Sequence, residues 1–150
     1  MEKLNFPNYK LLLKNRENKP YILDRVRKKW LLCTPEEWVR VHCVHYLIET
    51  MGYPASWMRI EQELKVYNTR KRFDLAVVDA AMQPHILVEC KAPSITLDQK
   101  SFDQIARYNL VLKCPYLMVS NGLNHYFCKM NQEENQLVFI EGLPAYNKTL

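Results

Sequence analysis

The sequence predicts a mixed α/β domain in which helices cover the faces of a central β-sheet. Two observations support this prediction. Apolar residues recur at helical spacing in residues 35–51 and 98–113, and short apolar or alternating runs typical of strands lie between and after them. A chain of 150 residues has the size of one domain and can bury a core without disulfides or metal. We therefore expect a single domain over residues 1–150.

The positive charge of the chain is concentrated at its N-terminus. The whole sequence has a formal net charge of +5, and residues 1–30 hold nine Lys or Arg against three Asp or Glu. These residues are predicted to form a basic arm. Such an arm either contacts phosphates, with release of counterions, or is a solvated leader that keeps the protein soluble. The charge count favours neither alternative.

Composition excludes several classes of protein. Only three glycines occur and none lies in a glycine-rich phosphate loop, which argues against a Walker-type ATPase and a dinucleotide-binding fingerprint. No apolar run approaches the roughly 18 residues that span a bilayer, so no membrane partner is expected. The five cysteines are odd in number and widely spaced, as expected for reduced thiols in a cytoplasmic protein.

The first helix is predicted over residues 35–51. Thr34 is a favoured capping residue, Pro35 suits the first helical position, and the two acidic residues that follow favour the positive end of the helix dipole. Apolar residues then recur every three or four positions, as in a helix with one buried face.

Three strands and a hairpin are predicted next. Residues 57–67 alternate between apolar and charged side chains, as in a half-buried strand, and residues 68–71 are predicted to form a polar turn. Two apolar runs, residues 72–79 and 85–91, are separated by a short polar segment and are predicted to pair as a hairpin.

A second helix and further strands complete the prediction. The helix covers residues 98–113, with an aspartate near its start. Strands are expected at residues 115–120 and 124–130, joined through a tight turn at Asn121-Gly122, and a last short strand at 137–141.

Three charged residues interrupt the otherwise apolar hairpin: Asp74, Glu89 and Lys91. Side chains alternate across a strand, so Glu89 and Lys91 share one face of the sheet. Charged side chains are rarely buried without a partner. The three groups therefore form either a site with chemistry or a buried ion network that serves structure alone.

The expected register brings the two acids together. A symmetric turn pairs Asp79 with Pro84 and places Asp74 directly opposite Glu89, where like charges repel. Such a pair is tolerated when a divalent cation lies between the carboxylates or when one of them is protonated. Oxygen ligands suit Mg²⁺, for which Mn²⁺ is expected to substitute, and the backbone carbonyl of Cys90 is a further candidate ligand. Lys91 could polarise an attacking water or stabilise negative charge in a transition state.

The second predicted helix adds a polar pair. Gln104 and Tyr108 are four residues apart and share one helix face. Taken alone, they fit either a site or a polar helix edge that meets solvent.

Together these residues resemble the PD-(D/E)xK nuclease superfamily, whose Q-x-x-x-Y motif Gln104 and Tyr108 match. The wider pattern is similar to the N-terminal nuclease domain of type I restriction enzyme R subunits. That pattern comprises TPEEWVR at 34–40, RFD at 72–74, VECKAP at 88–93 and Asn121-Gly122. The resemblance covers about residues 20–130.

The resemblance implies a restriction-endonuclease-like fold with an αβββαβ core, which hydrolyses DNA phosphodiester bonds with Mg²⁺. It implies that Asp74 and Glu89 are metal ligands and that Lys91 is the catalytic lysine. Gln104 and Tyr108 would lie beside the site, and Glu37 would be the acidic residue of the first helix.

The resemblance also suggests partners. DNA phosphates would contact Arg40, Arg70, Lys71 and Arg72, although Arg40 is equally placed to pair with Glu36 or Glu37. R subunits of this kind continue into a motor domain that 150 residues do not hold. The sequence leaves open whether the chain is a piece of such a subunit or a free-standing relative, whether a motor or specificity subunit is its partner, and whether two copies form a homodimer.

Two other functions remain open. The chain could be a catalytically silent nucleic-acid-binding module, which would bind without metal and independently of Lys91. It could also be an interaction scaffold with a vestigial site, which would have no affinity for nucleic acid even at low salt.

Overall fold

A computed structural model of the chain describes residues 1–66, 69–131 and 133–147, without the side chains of residues 63–71, 108 and 111. The helices are α1 (Pro35–His45), which continues into a π-helical turn at Tyr46–Thr50, and α2 (Gln99–Leu112). The strands are β1 (Leu13–Arg16), β2 (Lys19–Asp24), β3 (Lys29–Leu32), β4 (Met58–Ile60), β5 (Glu63–Val66), β6 (Thr69–Arg72), β7 (Leu75–Val78), β8 (Pro84–Cys90), β9 (Tyr116–Ser120), β10 (His125–Asn131) and β11 (Gln136–Ile140).

The central sheet has six strands in the order β11-β10-β9-β8-β7-β4. The β8–β9 pair is parallel and the other neighbouring pairs are antiparallel. Parallel neighbours need a crossover connection, and α2 supplies it between β8 and β9. The mixed sheet confirms the predicted fold class.

The two helices cover opposite faces of this sheet. Residues of α1 such as Val41 pack with Val77 and Val88 in one apolar core. Ile105 of α2 packs with Leu87 in a second core. Successive side chains of β8 point to opposite faces, so Leu87 packs on the α2 side and Ile86 and Val88 on the α1 side. In the described part of the chain, no helix has the length and apolar character needed to span a membrane.

The helix predictions hold to within a few residues. The hydroxyl of Thr34 caps α1 by accepting a hydrogen bond from the backbone N–H of Glu37 at 3.1 Å. The carboxylate of Asp98 caps α2 in the same way, and Lys113 ends that helix in the left-handed conformation. The predicted first helix extends to residue 50, but its last turn is π-helical rather than α-helical.

The N-terminal segment is a folded sheet and not an arm, which corrects the prediction for residues 1–30. Strands β1, β2 and β3 form a separate antiparallel sheet, in that order. Glu17 and Asn18, both with positive φ, make the two-residue turn between β1 and β2, and such turns match the twist of paired strands. Ile22 of β2 is fully buried, so the sheet packs against the domain.

The predicted strand over residues 57–67 is divided in two. Glu61 adopts a positive φ of 51° between β4 and β5. Strand β4 then joins the central sheet, whereas β5 pairs with β6 in a small separate sheet. Residues 69–71, predicted as part of a turn, therefore belong to a strand, and Asn68 lies outside the described residues.

The β7–β8 hairpin has the predicted register over most of its length. Leu75 faces Val88 and Val77 faces Ile86, as a symmetric hairpin requires. Continued by one residue, this register places Asp74 opposite Glu89.

The predicted register fails at the turn, where Val78 and not Asp79 pairs with Pro84. The carboxylate of Asp79 accepts hydrogen bonds from the backbone N–H groups of Ala81 and Gln83, both at 2.9 Å. These bonds hold Asp79 within the turn and produce a one-residue shift after Val77.

Candidate active site

Three charged side chains meet where β7 begins and β8 ends. Asp74 directly precedes β7, Glu89 is the penultimate residue of β8, and Lys91 follows that strand. The charges of Asp74 and Lys91 both act on the carboxyl of Glu89, which also bonds to the backbone of Asp74. The structure thus brings Asp74, Glu89 and Lys91 together, each partly exposed to solvent.

Asp74 is fixed by two contacts. Its Oδ2 accepts a hydrogen bond from the backbone N–H of Cys90 at 2.7 Å. Its Oδ1 lies 3.4 Å from Nη2 of Arg40. These contacts hold the carboxylate against the backbone of β8, next to Glu89.

The pKa of Glu89 is raised to about 8. The largest cause is burial, followed by the negative charge of Asp74, and Glu36 acts in the same direction. The charge of Lys91 opposes them and lowers the pKa. Near neutral pH the carboxyl of Glu89 therefore stays largely protonated unless a further positive charge is supplied.

This shift makes stability depend on pH. The pKa of Glu89 is about 8 in the folded protein against an ordinary value of 4.5, so between these values the folded state binds more protons than the unfolded state. The stabilisation is complete below pH 4.5 and is lost as pH rises through about 8. In EDTA, we expect urea midpoints to fall over this range, and Glu89→Gln to reduce the fall.

The matched control for this prediction is Glu141→Gln, because Glu141 is exposed. It should leave the pH dependence of the urea midpoint as in the wild type. Identical pH profiles for Glu89→Gln and Glu141→Gln would contradict the prediction.

A buried arginine links α1 to this site. The guanidinium of Arg40 is 4% exposed and contacts four carboxylates. The partners are Glu36 at 3.0 Å, Glu61 at 3.3 Å, Asp74 at 3.4 Å and Glu37 in a closer contact. In the structure as described, its Nε has no hydrogen-bond partner. Arg40 therefore neutralises much of the acidic charge around Asp74.

The environment of Arg40 corrects one predicted role. Arg40 was expected to contact DNA phosphates, with pairing to Glu36 or Glu37 as the alternative. In the structure Arg40 is buried and forms ion pairs with both glutamates, as the alternative stated. A guanidinium so enclosed is not free to bind a phosphate.

Glu37 lies in the same network. It is 7% exposed, and its two carboxylate oxygens pair with Arg27 and Arg40. Glu36 lies in the first turn of α1, and its negative charge raises the pKa of Glu89. Its side chain is 48% exposed. Sequence reasoning named Glu36 as a partner of Arg40, four residues away, but did not place it at the site.

The remaining predicted residues are placed with less detail. Arg72 is 63% exposed and pairs with Glu61 at 3.1 Å. The side chains of Arg70, Lys71 and Tyr108 lie outside the described structure. Gln104 is an exposed residue of α2. Their roles in binding and catalysis stay predictions.

The donor atoms at this site suit a hard divalent cation. Among the described residues, no group of three or more His, Cys, Asp or Glu side chains could hold a metal ion. A cation would instead be held by Asp74, Glu89, the backbone carbonyl of Cys90 and water, and Mg²⁺ commonly keeps several waters. Glu89, whose pKa is raised by burial and by the charge of Asp74, fits such an ion, because the ion would supply the missing positive charge.

Comparison with known proteins identifies the family of the chain. No curated protein matches the sequence. Residues 35–144, well over half of the chain, match the family described as the type I restriction enzyme R protein N terminus. This match includes α1, the β7–β8 hairpin and α2, the elements that surround Asp74 and Glu89. The chain belongs to the type I restriction enzyme R protein N-terminal family.

Proposed function

We propose that the chain is a Mg²⁺-dependent deoxyribonuclease that hydrolyses DNA phosphodiester bonds, and that its sheet and helices form a restriction-endonuclease-like αβββαβ core. One observation carries the proposal: Asp74 and Glu89 lie close together at the ends of neighbouring strands, and the charges of Asp74 and Lys91 both act on Glu89. Family membership supports a nuclease-like role.

Each residue of the site has a separate role in the proposed hydrolysis. Asp74, positioned by the Cys90 amide, presents a carboxylate to the site, and Glu89 would hold a cation after releasing its proton to solvent. When bound, Mg²⁺ lowers the pKa of water and screens phosphate charge. Lys91 orients the attacking water or stabilises the charge that develops on the phosphate oxygens.

Two further assignments follow from the contacts. Glu36, and not Glu37, is the acidic residue that α1 contributes to the site, because it is half-exposed and its charge acts on Glu89. Arg72 contacts a DNA phosphate in this proposal. Its exposed guanidinium would leave Glu61 and pair with the phosphate at the protein surface. Arg70 and Lys71 precede it in β6 and would extend the same basic strand. The family suggests a motor or specificity subunit as partner.

The experiment that tests the proposal combines cleavage with metal binding. We expect the chain to cleave DNA with Mg²⁺ or Mn²⁺ and not with EDTA. Calorimetric titration should show that Asp74→Asn weakens Mg²⁺ binding by at least about tenfold, because the variant loses a charged ligand.

Asp79→Asn is the matched control, since Asp79 lies in the hairpin turn and bonds backbone amides. It should bind Mg²⁺ like the wild type. Equal Mg²⁺ affinity in both variants, or cleavage that persists in EDTA, would refute the proposal.

One observation favours the alternative of a silent nucleic-acid-binding module. Both oxygens of Asp74 already have protein partners, Arg40 and the Cys90 amide. A module of this kind would bind DNA equally in Mg²⁺ and in EDTA, and Lys91→Ala would leave its affinity unchanged.

A further inference from the structure

The N-terminal sheet has one face against the domain and one toward solvent. Lys14 is paired with Tyr21, and Tyr21 with Leu32, so the three side chains lie on one face. The next residue of β2, Ile22, points the other way and is fully buried. The solvent-facing side, which we name the outer face, comprises Lys14, Arg16, Lys19, Tyr21, Leu23, Trp30 and Leu32.

The outer face carries exposed apolar side chains next to positively charged ones. Trp30 is 37% exposed and Leu32 is 44% exposed. The ammonium of Lys14 lies 4.2 Å from the centre of the Trp30 ring. Among the paired residues of β1, β2 and β3, strand alternation places no carboxylate on this face, and the exposed Glu17 lies in the turn between β1 and β2. Exposed apolar groups bordered by like charges are typical of a binding surface.

The chemistry of the outer face fits a nucleic acid with unpaired bases. A base can stack on the face of an indole ring, and a neighbouring phosphate can pair with Lys or Arg. In a duplex the base faces are already stacked on each other, so an exposed indole adds little there. Positive charge without carboxylates complements a polyanion better than it does an average protein surface.

The sheet also leads toward the active site. Strand β2 extends about 20 Å, given its six residues and the rise of a strand. Beyond its end, Arg27 contacts Glu37 and Glu61, which both contact Arg40 beside Asp74. A strand of nucleic acid bound along this face would run toward the acidic site.

We propose that the outer face of the β1–β3 sheet binds single-stranded nucleic acid, with bases stacked on Trp30 and phosphates paired with Lys14, Arg16 and Lys19. The surface is separate from the active site, and binding to it does not depend on cleavage.

The test uses the full chain in EDTA, so that binding is measured without turnover. The probe is a fluorescein-labelled oligothymidylate, and its affinity is read by anisotropy. Trp30→Ala should weaken binding about tenfold, as expected for loss of one stacked base. Trp30→Phe should keep most of the affinity. Trp57→Phe is the matched control, because Trp57 packs against Tyr146 elsewhere in the domain.

A second variant tests the cations. The triple change Lys14→Gln, Arg16→Gln, Lys19→Gln should reduce the salt dependence of binding, by a slope of about 0.7 for each phosphate that the variant no longer neutralises. This readout stands even if Trp30→Ala is poorly folded, since the three side chains are exposed.

Other occupants of the surface would give different results. Unchanged oligothymidylate affinity in Trp30→Ala, together with an unchanged salt slope in the triple variant, would overturn the proposal. Sedimentation that shows a dimer disrupted by Trp30→Ala, with no effect on oligothymidylate binding, would assign the face to a second copy of the chain. A duplex that binds as tightly and with the same dependence on Trp30 would also overturn it.

Discussion

Lys91→Ala is expected to lower the rate of DNA cleavage at saturating Mg²⁺ by about two orders of magnitude, or on the order of 3 kcal/mol of transition-state stabilisation. Lys91 shares its face of the sheet with Glu89, and its charge lowers the pKa of that residue. Its backbone N–H donates to the carbonyl of Ser120 at 2.9 Å, a bond that the alanine variant keeps. The variant should therefore fold normally and lose the ammonium alone.

Two comparisons make this result specific. Lys100→Ala removes an exposed lysine from α2 and should leave the cleavage rate unchanged. Lys91→Arg keeps the charge but not its geometry, and should retain part of the rate. Saturating Mg²⁺ is needed because loss of the Lys91 charge also raises the pKa of Glu89 and removes a positive charge next to the metal site, so that the metal affinity changes. Cleavage by Lys91→Ala at the wild-type rate would remove Lys91 from the mechanism.

Arg40→Ala is expected to reduce the free energy of unfolding by about 3–5 kcal/mol, because removing one partner of a buried ion pair leaves its counter-charges uncompensated. Arg40 contacts four carboxylates, and one of them, Glu37, is only 7% exposed. Urea unfolding at neutral pH measures the effect. Much of the loss should disappear at acidic pH, where the carboxylates are protonated.

The matched control is Arg107→Ala, since Arg107 is exposed on α2. Changes at exposed positions usually alter stability by less than about 0.5 kcal/mol. If Arg40→Ala cost no more than Arg107→Ala, the four ion pairs would contribute little to the fold.

Periodicity explains why the helices and the central hairpin could be predicted. Helical spacing and capping residues located α1 and α2, and the two-residue repeat of strands placed Asp74 opposite Glu89. The turn of that hairpin could not be predicted in the same way. Its register depends on the carboxylate of Asp79 and its backbone partners, which alternation does not record.

Long-range contacts explain most of what the sequence concealed. Spacing showed that Arg40 could reach Glu36, but Glu61 and Asp74 come from distant parts of the chain. For the same reason the sequence could not show whether Glu36 or Glu37 is the acidic residue that α1 contributes to the site. The N-terminal strands were missed because charge dominated their composition, although Asn18 is a residue favoured in tight turns.

The position of Arg27 has a practical consequence for anyone who shortens this protein. The family match begins at residue 35 and so leaves out the whole N-terminal sheet. Arg27, which belongs to the turn after β2, supplies a positive charge to Glu37 and Glu61. A fragment trimmed to the family boundary would lose this charge and leave Arg40 as the partner of Glu37, so its behaviour would not represent the intact chain.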